Sequence, residues 1–336
     1  MPTALNAVPP MPPVDVSANK MVEKISYRGW KNAYRISNAT VELIVLADVG
    51  PRIIWYGFVG GDNILHEVAA DAGLSGGSEF HLYGGHRLWV SPEVERTYFP
   101  DNRQVSVSQD GGTVRLTAPI EGLAPGTNLQ KELQIGMDPT DSRVELMHRV
   151  TNRDKEPTEL APWAPTMMRP GGRAILPLPP RVAMDKDHYL SVGPLTLWSF
   201  TDLADPRWRF GTEYIQLLQH VNSEYRFPEQ MTGIFNSAGW GAYFSSGTLF
   251  LKRAPVFPGV NYPDSGCNFE IFTNQDFLEL ETLGPKVVLR PGEHTTHSET
   301  WELFRNVLAG EDEHWIRSAV LPLVGRGVAS LPSRSV

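Results

Sequence analysis

From Ile25 onward apolar and polar residues alternate with a period of two, as in "TVELIVLA", "VSVSQ", "TVRLT", "KELQI" and "RVELMHRV". Successive side chains of a strand point to opposite faces, whereas a helix repeats near 3.6 residues, so this pattern commits the chain to half-buried β-strands. The breaks agree with it. Asp110-Gly111-Gly112 and Ser245-Ser246-Gly247 supply residues that tolerate positive φ at hairpin tips, while Gly284-Pro285 and Pro291-Gly292 separate three further strands near the C-terminus. Helical signals are sparse. "DNILHEVAADAG" predicts a short helix, and "GEDEHWIRSAVLPLV" a longer one whose acidic first turn suits the helix dipole.

A length of 336 residues accommodates one large β domain. With no linker in mid-chain and no fixed-period repeat, residues 25–327 read as a single all-β domain, a large antiparallel β-sandwich with a few short peripheral helices. Residues 1–24 read as a Pro-rich extended leader and 328–336 as a flexible tail. A hydrophobic content of 41% allows a sizeable core. The net charge of -8 repels phosphate backbones, so nucleic acid is not an expected partner. The apolar run "LIVLADVGPRIIW" is cut by Asp48 and Arg52, so no membrane span is expected. A lone cysteine, Cys267, excludes an intramolecular disulfide and a Cys-rich zinc site. The first residues lack the charged and apolar regions of a secretory signal, which leaves a cytoplasmic or a periplasmic location open.

One stretch departs from plain strand, "FHLYGGHRLWVSPE", Phe80 to Glu93. Gly84-Gly85 can bring backbone close to a ligand or re-aim its neighbours. On a regular strand His81 and Tyr83 share a face. Arg87 suits bidentate binding of a hydroxyl pair or carboxylate, and Trp89 a stacking platform. The competing interpretation makes Trp89 core, Arg87 the ion-pair partner of Glu93, and His81 a surface residue. His81, His86 and Glu93, or His294 and His297, offer ligand atoms for a metal. Residues three apart on a strand face opposite ways, however, and no metal or other cofactor is expected. Lys252 and Arg253 end a strand and are candidates to meet an anionic sugar, with solvated strand-end cations as the alternative.

Five stretches, in order, resemble the galactose mutarotase-like superfamily, which includes aldose 1-epimerases and hexose-6-phosphate 1-epimerases. "LIVLADVGPRIIWYGFVGGDNILHE" is similar to that family's opening strand pair and loop, and "HLYGGHRLW" to its Gly-Gly loop with substrate-binding Arg or His. "VELMHRVTNRDKEPTELAPWAPTMM" resembles the strand leading to its catalytic histidine. "PDSGCNFEIFTN" resembles the strand that delivers its catalytic glutamate, and "VVLRPGEHTTHSETWEL" its closing strand. The whole most resembles a DUF4380-like branch. The resemblance implies a mutarotase-like supersandwich acting on a small-molecule sugar or oligosaccharide.

The resemblance puts Glu270 at the position of the general base that removes the anomeric hydroxyl proton. Glu279 and Glu281, on the next strand, are expected to be solvated. "TELAPWAPTMMRPGG" departs from the family pattern: Trp163 stands where the family keeps its acid histidine. His86, or His81, would then have to supply the acid. The substrate-binding candidates are Arg87, His81, Tyr83, Trp89, Trp163, Lys252 and Arg253. Three functions stay open: an aldose 1-epimerase-like isomerase using Glu270 and His86, a non-catalytic carbohydrate-binding protein, and an oligosaccharide or uronate lyase or hydrolase using Tyr83, His86 and Arg87.

Overall fold

The alternation resolves into two antiparallel sheets that share one buried layer. The computed structural model describes residues 21–122, 128–220 and 228–326. In the first, 12-stranded sheet the strand order is Val22–Tyr27, Trp30–Ser37, Val41–Leu46, Arg52–Phe58, His86–Arg87, Thr158–Met168, Leu278–Leu283, Phe269–Thr273, Gln230–Ile234 and Leu195–Leu197. Trp89–Ser91 and Val287–Leu289 also pair with the long strand Thr158–Met168. The second, 10-stranded sheet runs Trp208–Phe210, Tyr214–Leu218, Arg173–Pro177, Trp240–Ser245, Thr248–Arg253, His294–Phe304, Val144–Asn152, Leu129–Met137, Thr113–Thr117 and Ser106–Asp110.

Each hairpin read from the alternation is present. Between the sheets lies the main apolar cluster. Leu43, Val45, Tyr56, Leu278 and Leu280 of the first sheet meet Leu133, Ile135, Phe250 and Trp301 of the second. Fully burying one such aliphatic or Phe side chain contributes about 1.5–3 kcal/mol, so this layer dominates the stability of the sandwich.

The C-terminal helical segment forms as expected. It runs from Glu313–Trp315 through Ile316–Val320 to Leu321–Arg326, and the Asp312 side chain accepts a hydrogen bond from the Trp315 amide at its start. Its apolar side, Trp315, Ile316, Val320 and Val324, covers the outer face of the second sheet. The helix expected over "DNILHEVAADAG" is reduced to a single 3-10 turn, Ala69–Asp71. Ile64 and Leu65 are drawn into the inter-sheet layer instead, and the Asn63 side chain accepts from the Tyr56 and Leu65 amides, which holds the backbone extended. The first strand begins at Val22, ahead of the expected Ile25. Residues 1–20 of the predicted leader and the tail at 328–336 lie outside the described residues. No helix among the described residues is long and apolar enough to cross a membrane.

Candidate active site on the outer face of the first sheet

Pairing register decides which side chains can meet. Glu270 is directly opposite Glu281, and Glu281 is directly opposite Pro165 of the long central strand. Directly paired residues share a face and alternate residues return to it, so Glu270, Glu279, Glu281, Trp163 and Pro165 all turn away from the inter-sheet layer. Trp163 in turn pairs with Trp89, which brings Trp89 and its alternate neighbour Arg87 to the same outer face. His86 is opposite Thr166, one residue out of phase, and faces inward.

The outer face is therefore acidic and aromatic. Glu270 and Glu281 are each 1% exposed and Glu279 is 7% exposed. This corrects the expectation that Glu279 and Glu281 are solvated: Trp163 packs on Glu281, and Arg87 with the Trp89 ring on Glu279. The Trp163 indole N–H donates to Glu281 Oε2 at 2.6 Å. Arg87 donates to Glu279 Oε1 at 3.2 Å and lies 3.8 Å over the Trp89 ring, so its ion-pair partner is Glu279 and not Glu93. Asp264 reaches Ser91 Oγ at 3.5 Å, and Glu93 accepts from the Tyr98 hydroxyl. Glu270 Oε1 is buried with no hydrogen-bond partner.

Burial pushes the Glu270 carboxyl well above the usual carboxylate range, and the charges of Glu281, Asp264 and Glu93 push it further. Burial raises Glu281 in the same way, reinforced by Glu279 and opposed by the Trp163 hydrogen bond. Glu279 is raised by burial against the pull of Arg87. Burial and mutual repulsion thus favour the protonated form of these carboxyls.

His86 belongs to different chemistry. It is fully buried between the sheets, 2.8 Å from Thr166 Oγ1 through Nδ1 and 2.7 Å from His148 Nε2 through its own Nε2. The tautomers follow from the His297 carbonyl, which can only accept and so fixes the proton of neutral His148 on Nδ1, leaving its Nε2 to accept from His86. Lys252 Nζ donates to Thr166 Oγ1 at 2.8 Å and to Glu299 Oε1 at 2.9 Å. Thr166 therefore gives its own proton to His86 Nδ1, and His86 Nε2–H donates to His148 Nε2. His148 Nδ1–H donates to the His297 carbonyl at 2.9 Å. His297 Nε2–H donates to Thr282 Oγ1 at 2.7 Å, and Thr282 donates to Glu299, closing a ring of hydrogen bonds. Burial holds all three imidazoles below their ordinary value, His297 down to about 3. His86, His148 and Glu299 bring potential metal-ligand atoms within 4.8 Å of one another. Their lone pairs are spent on this ring and on Lys252, so the set is built as a hydrogen-bonded circuit, not as an open coordination site.

Several sequence candidates fall elsewhere for the same reason. His86 cannot donate a proton to a ligand on the Glu270 face, because the sheet stands between them. The Tyr83 hydroxyl is buried on Asn102 Oδ1 at 2.7 Å and its ring packs with Trp30, so the Tyr83, His86 and Arg87 set expected for elimination is not assembled. His81 is half-buried and held by Asp71 Oδ1 at 3.0 Å. Lys252 is 0% exposed, inside the sandwich and out of reach of an anionic sugar. Arg253 pairs with Glu302 at 3.5 Å and lines a groove of about 860 Å³ on the outer face of the second sheet, away from Glu270. Arg87, Trp89 and Trp163 do gather around the Glu270 face. His66, in "DNILHE", carries no motif signal of its own, yet it stacks on Phe277 at 5.6 Å, and Phe277 packs on Phe272, the cross-strand partner of Glu279.

No protein-family model and no curated protein matches the chain. Solved structures do. A galactose mutarotase-like protein from Lactobacillus casei superposes with a TM-score of 0.52 at 11% identity, over 81% of this chain and 100% of that one. A galactose mutarotase related enzyme from Lactobacillus acidophilus gives 0.51 at 10% identity, over 82% and 98%. A galactose mutarotase-like protein from Clostridium acetobutylicum gives 0.50 at 10% identity, over 84% and 98%. The fold is the galactose mutarotase-like supersandwich. At these identities the likeness is one of architecture, and the supersandwich leaves the chemistry to be argued from its own residues.

Proposed function

We propose that this protein is a carbohydrate-active isomerase of the aldose 1-epimerase type, in which Glu270 and Glu281 form the acid–base pair. The observation that carries the proposal is the buried Glu270 carboxyl, unpartnered at Oε1 and in direct register with a second buried carboxyl. Two such groups do not both ionise readily, and a pair that keeps one proton has a base and an acid ready at once. Glu270 takes the proton from the anomeric hydroxyl of the sugar. That oxygen's electron pair forms the C1 carbonyl, the C1–O5 bond breaks, and O5 receives the proton of Glu281. Rotation about C1–C2 and the reverse steps return the other anomer. Trp163 orients Glu281, and Arg87, lying over the Trp89 ring, holds Glu279 beside the pair.

The Glu281 proton fills the role left open where Trp163 replaces a histidine, and it needs no contribution from His86. The order of the five sequence motifs supports a place among the DUF4380-like proteins. Polarimetry on freshly dissolved aldoses tests the function. Wild type should speed anomer exchange, and Glu270→Gln should slow it by about 10²–10⁴-fold, the usual cost of a lost general base. Tight sugar binding with no exchange by wild type would instead support a carbohydrate-binding protein without turnover.

A further inference from the structure

We infer that the site selects an ammonium-bearing ligand, an amino sugar in preference to a neutral or acidic one. The inference rests on the sugar-handling function proposed above and names the substrate class. Five carboxyl groups interact around the outer face: Glu270, Glu281 and Glu279 on its floor, with Glu93 and Asp264 at its rim. The guanidinium set among them, Arg87, is already held by Glu279 and by the Trp89 ring. Lys252 lies on the far side of the sheet with its donors spent, and Lys286, which acts on Asp264, is exposed. Arg87 and Lys252 act on Glu279 and Glu281, but among the described residues no cation acts on Glu270, so an incoming uronate or sugar phosphate would bring a further negative charge beside it, whereas an ammonium would favour its ionised form.

Glu270 supplies the independent sign of a ligand. Its Oε1 is buried and without a partner, and a carboxyl oxygen left so costs free energy unless something comes to meet it. Aromatic rings border the same face. Tyr98, 42% exposed, lies 5.5 Å from Trp89 and 5.3 Å from Phe80, and Trp89 lies 5.0 Å from Trp163. Aromatic faces beside carboxylates are the chemistry that recognises amines, through cation–π attraction and charge-assisted hydrogen bonds together. A neutral pyranose offers its hydroxyls and ring faces but no cation. Burial raises the floor carboxyls, and an ammonium seated there pulls them back toward ionisation, so proton release should accompany its binding.

Calorimetric titration of the full chain at about pH 6, where an amino sugar carries its charge, tests the selection, with 2-amino-2-deoxyglucose, glucose and glucuronate as probes. The amino sugar should bind at least about tenfold more tightly than glucose, and glucuronate more weakly than either. The heat of amino-sugar binding should vary with the buffer's ionisation enthalpy, reporting proton release. The rim variant Asp264→Asn with Glu93→Gln, checked for fold by circular dichroism, should shrink the preference for the amino sugar. Glucose or glucuronate binding as tightly as the amino sugar would overturn the inference while leaving a sugar site in place. If none of the three binds, the inference and the sugar-handling function both fall. If the rim variant does not fold, the wild-type ranking and the buffer dependence still decide between these outcomes.

Discussion

Glu270 and Glu281 stand on one rung of an antiparallel ladder, and both carboxyls turn to the face opposite the apolar layer. Each therefore titrates in the other's field, and the protons of the pair come off in two steps that belong to both. Glu281→Gln removes a neighbouring negative charge, so the Glu270 carboxyl should move down toward its ordinary range. Carbon-detected NMR titration of Glu270 in wild type and variant reads this directly. An unmoved Glu270 would mean that the two carboxyls are not coupled.

Trp163→Phe keeps the ring and deletes the indole donor to Glu281 Oε2. The hydrogen bond favours the ionised carboxyl, so its loss should raise Glu281 further. A buried acceptor without its donor should also lower stability by about 1–3 kcal/mol. Thermal unfolding measures the second effect, and a melting temperature equal to wild type would count against the bond.

His86→Leu separates the two faces of the sheet. The variant leaves the His148 Nε2 lone pair without its donor and should cost about 1–3 kcal/mol in urea unfolding. Exchange activity per folded molecule should not change. A folded variant with exchange down a hundredfold or more, on the scale of a lost general acid, would restore His86 as the acid and refute the face assignment.

Lys252→Met strands the Glu299 carboxylate between the sheets. Breaking one half of a buried ion pair typically costs about 3–5 kcal/mol, so this should be the more damaging of the two core variants. Lys252→Met with Glu299→Gln should recover part of the loss. No recovery would show that the pair is not an energetic unit.

Stability should fall on acidification below about pH 6.5, the ordinary histidine value. Burial depresses His86, His148 and His297, the last to about 3. Between the folded and unfolded values the unfolded chain binds more protons, so stability rises with pH across that window and is lost going down. Lys252 outweighs the burial of Glu299 and holds it below its ordinary range, which acts in the same direction at lower pH. The raised Glu270, Glu279 and Glu281 act oppositely, losing stability as pH climbs above the ordinary carboxylate range. Triple His86→Asn, His148→Asn, His297→Asn substitution should flatten the acid limb in chemical denaturation between about pH 6.5 and 4, and an unchanged slope would assign that limb to other groups.

The sandwich is legible in the sequence because period-two alternation is a local signal and hairpin turns carry their own chemistry. The site is legible only in part. Residue types and motif order single out Glu270, Arg87, Trp89 and Trp163, yet they group His86, Lys252 and Tyr83 with them although each points elsewhere. Adjacent residues on a strand face opposite ways, and "GGHRLW" does not say which of His86 and Arg87 faces the ligand until its partner strand is known. Glu281 was within reach: the turn Asn274–Phe277 fixes the hairpin register that sets it against Glu270. Its burial was not, since the Trp163 indole packed on it comes from a distant part of the chain.

The hydrogen-bonded circuit between the sheets also bears on how the strands find their alignment. Period-two patterning is blind to a slip of two residues, which returns every apolar side chain to its proper face. Lys252 can only give protons and Glu299 can only receive them, so the circuit runs in one direction and closes only when His86, His148, His297 and both threonines meet at one alignment. A strand displaced by two would look correctly greased and still find the ammonium facing the wrong neighbour. The interior polar residues thus act as a combination lock on strand alignment, one that includes the strand of Glu281 through its neighbour Thr282.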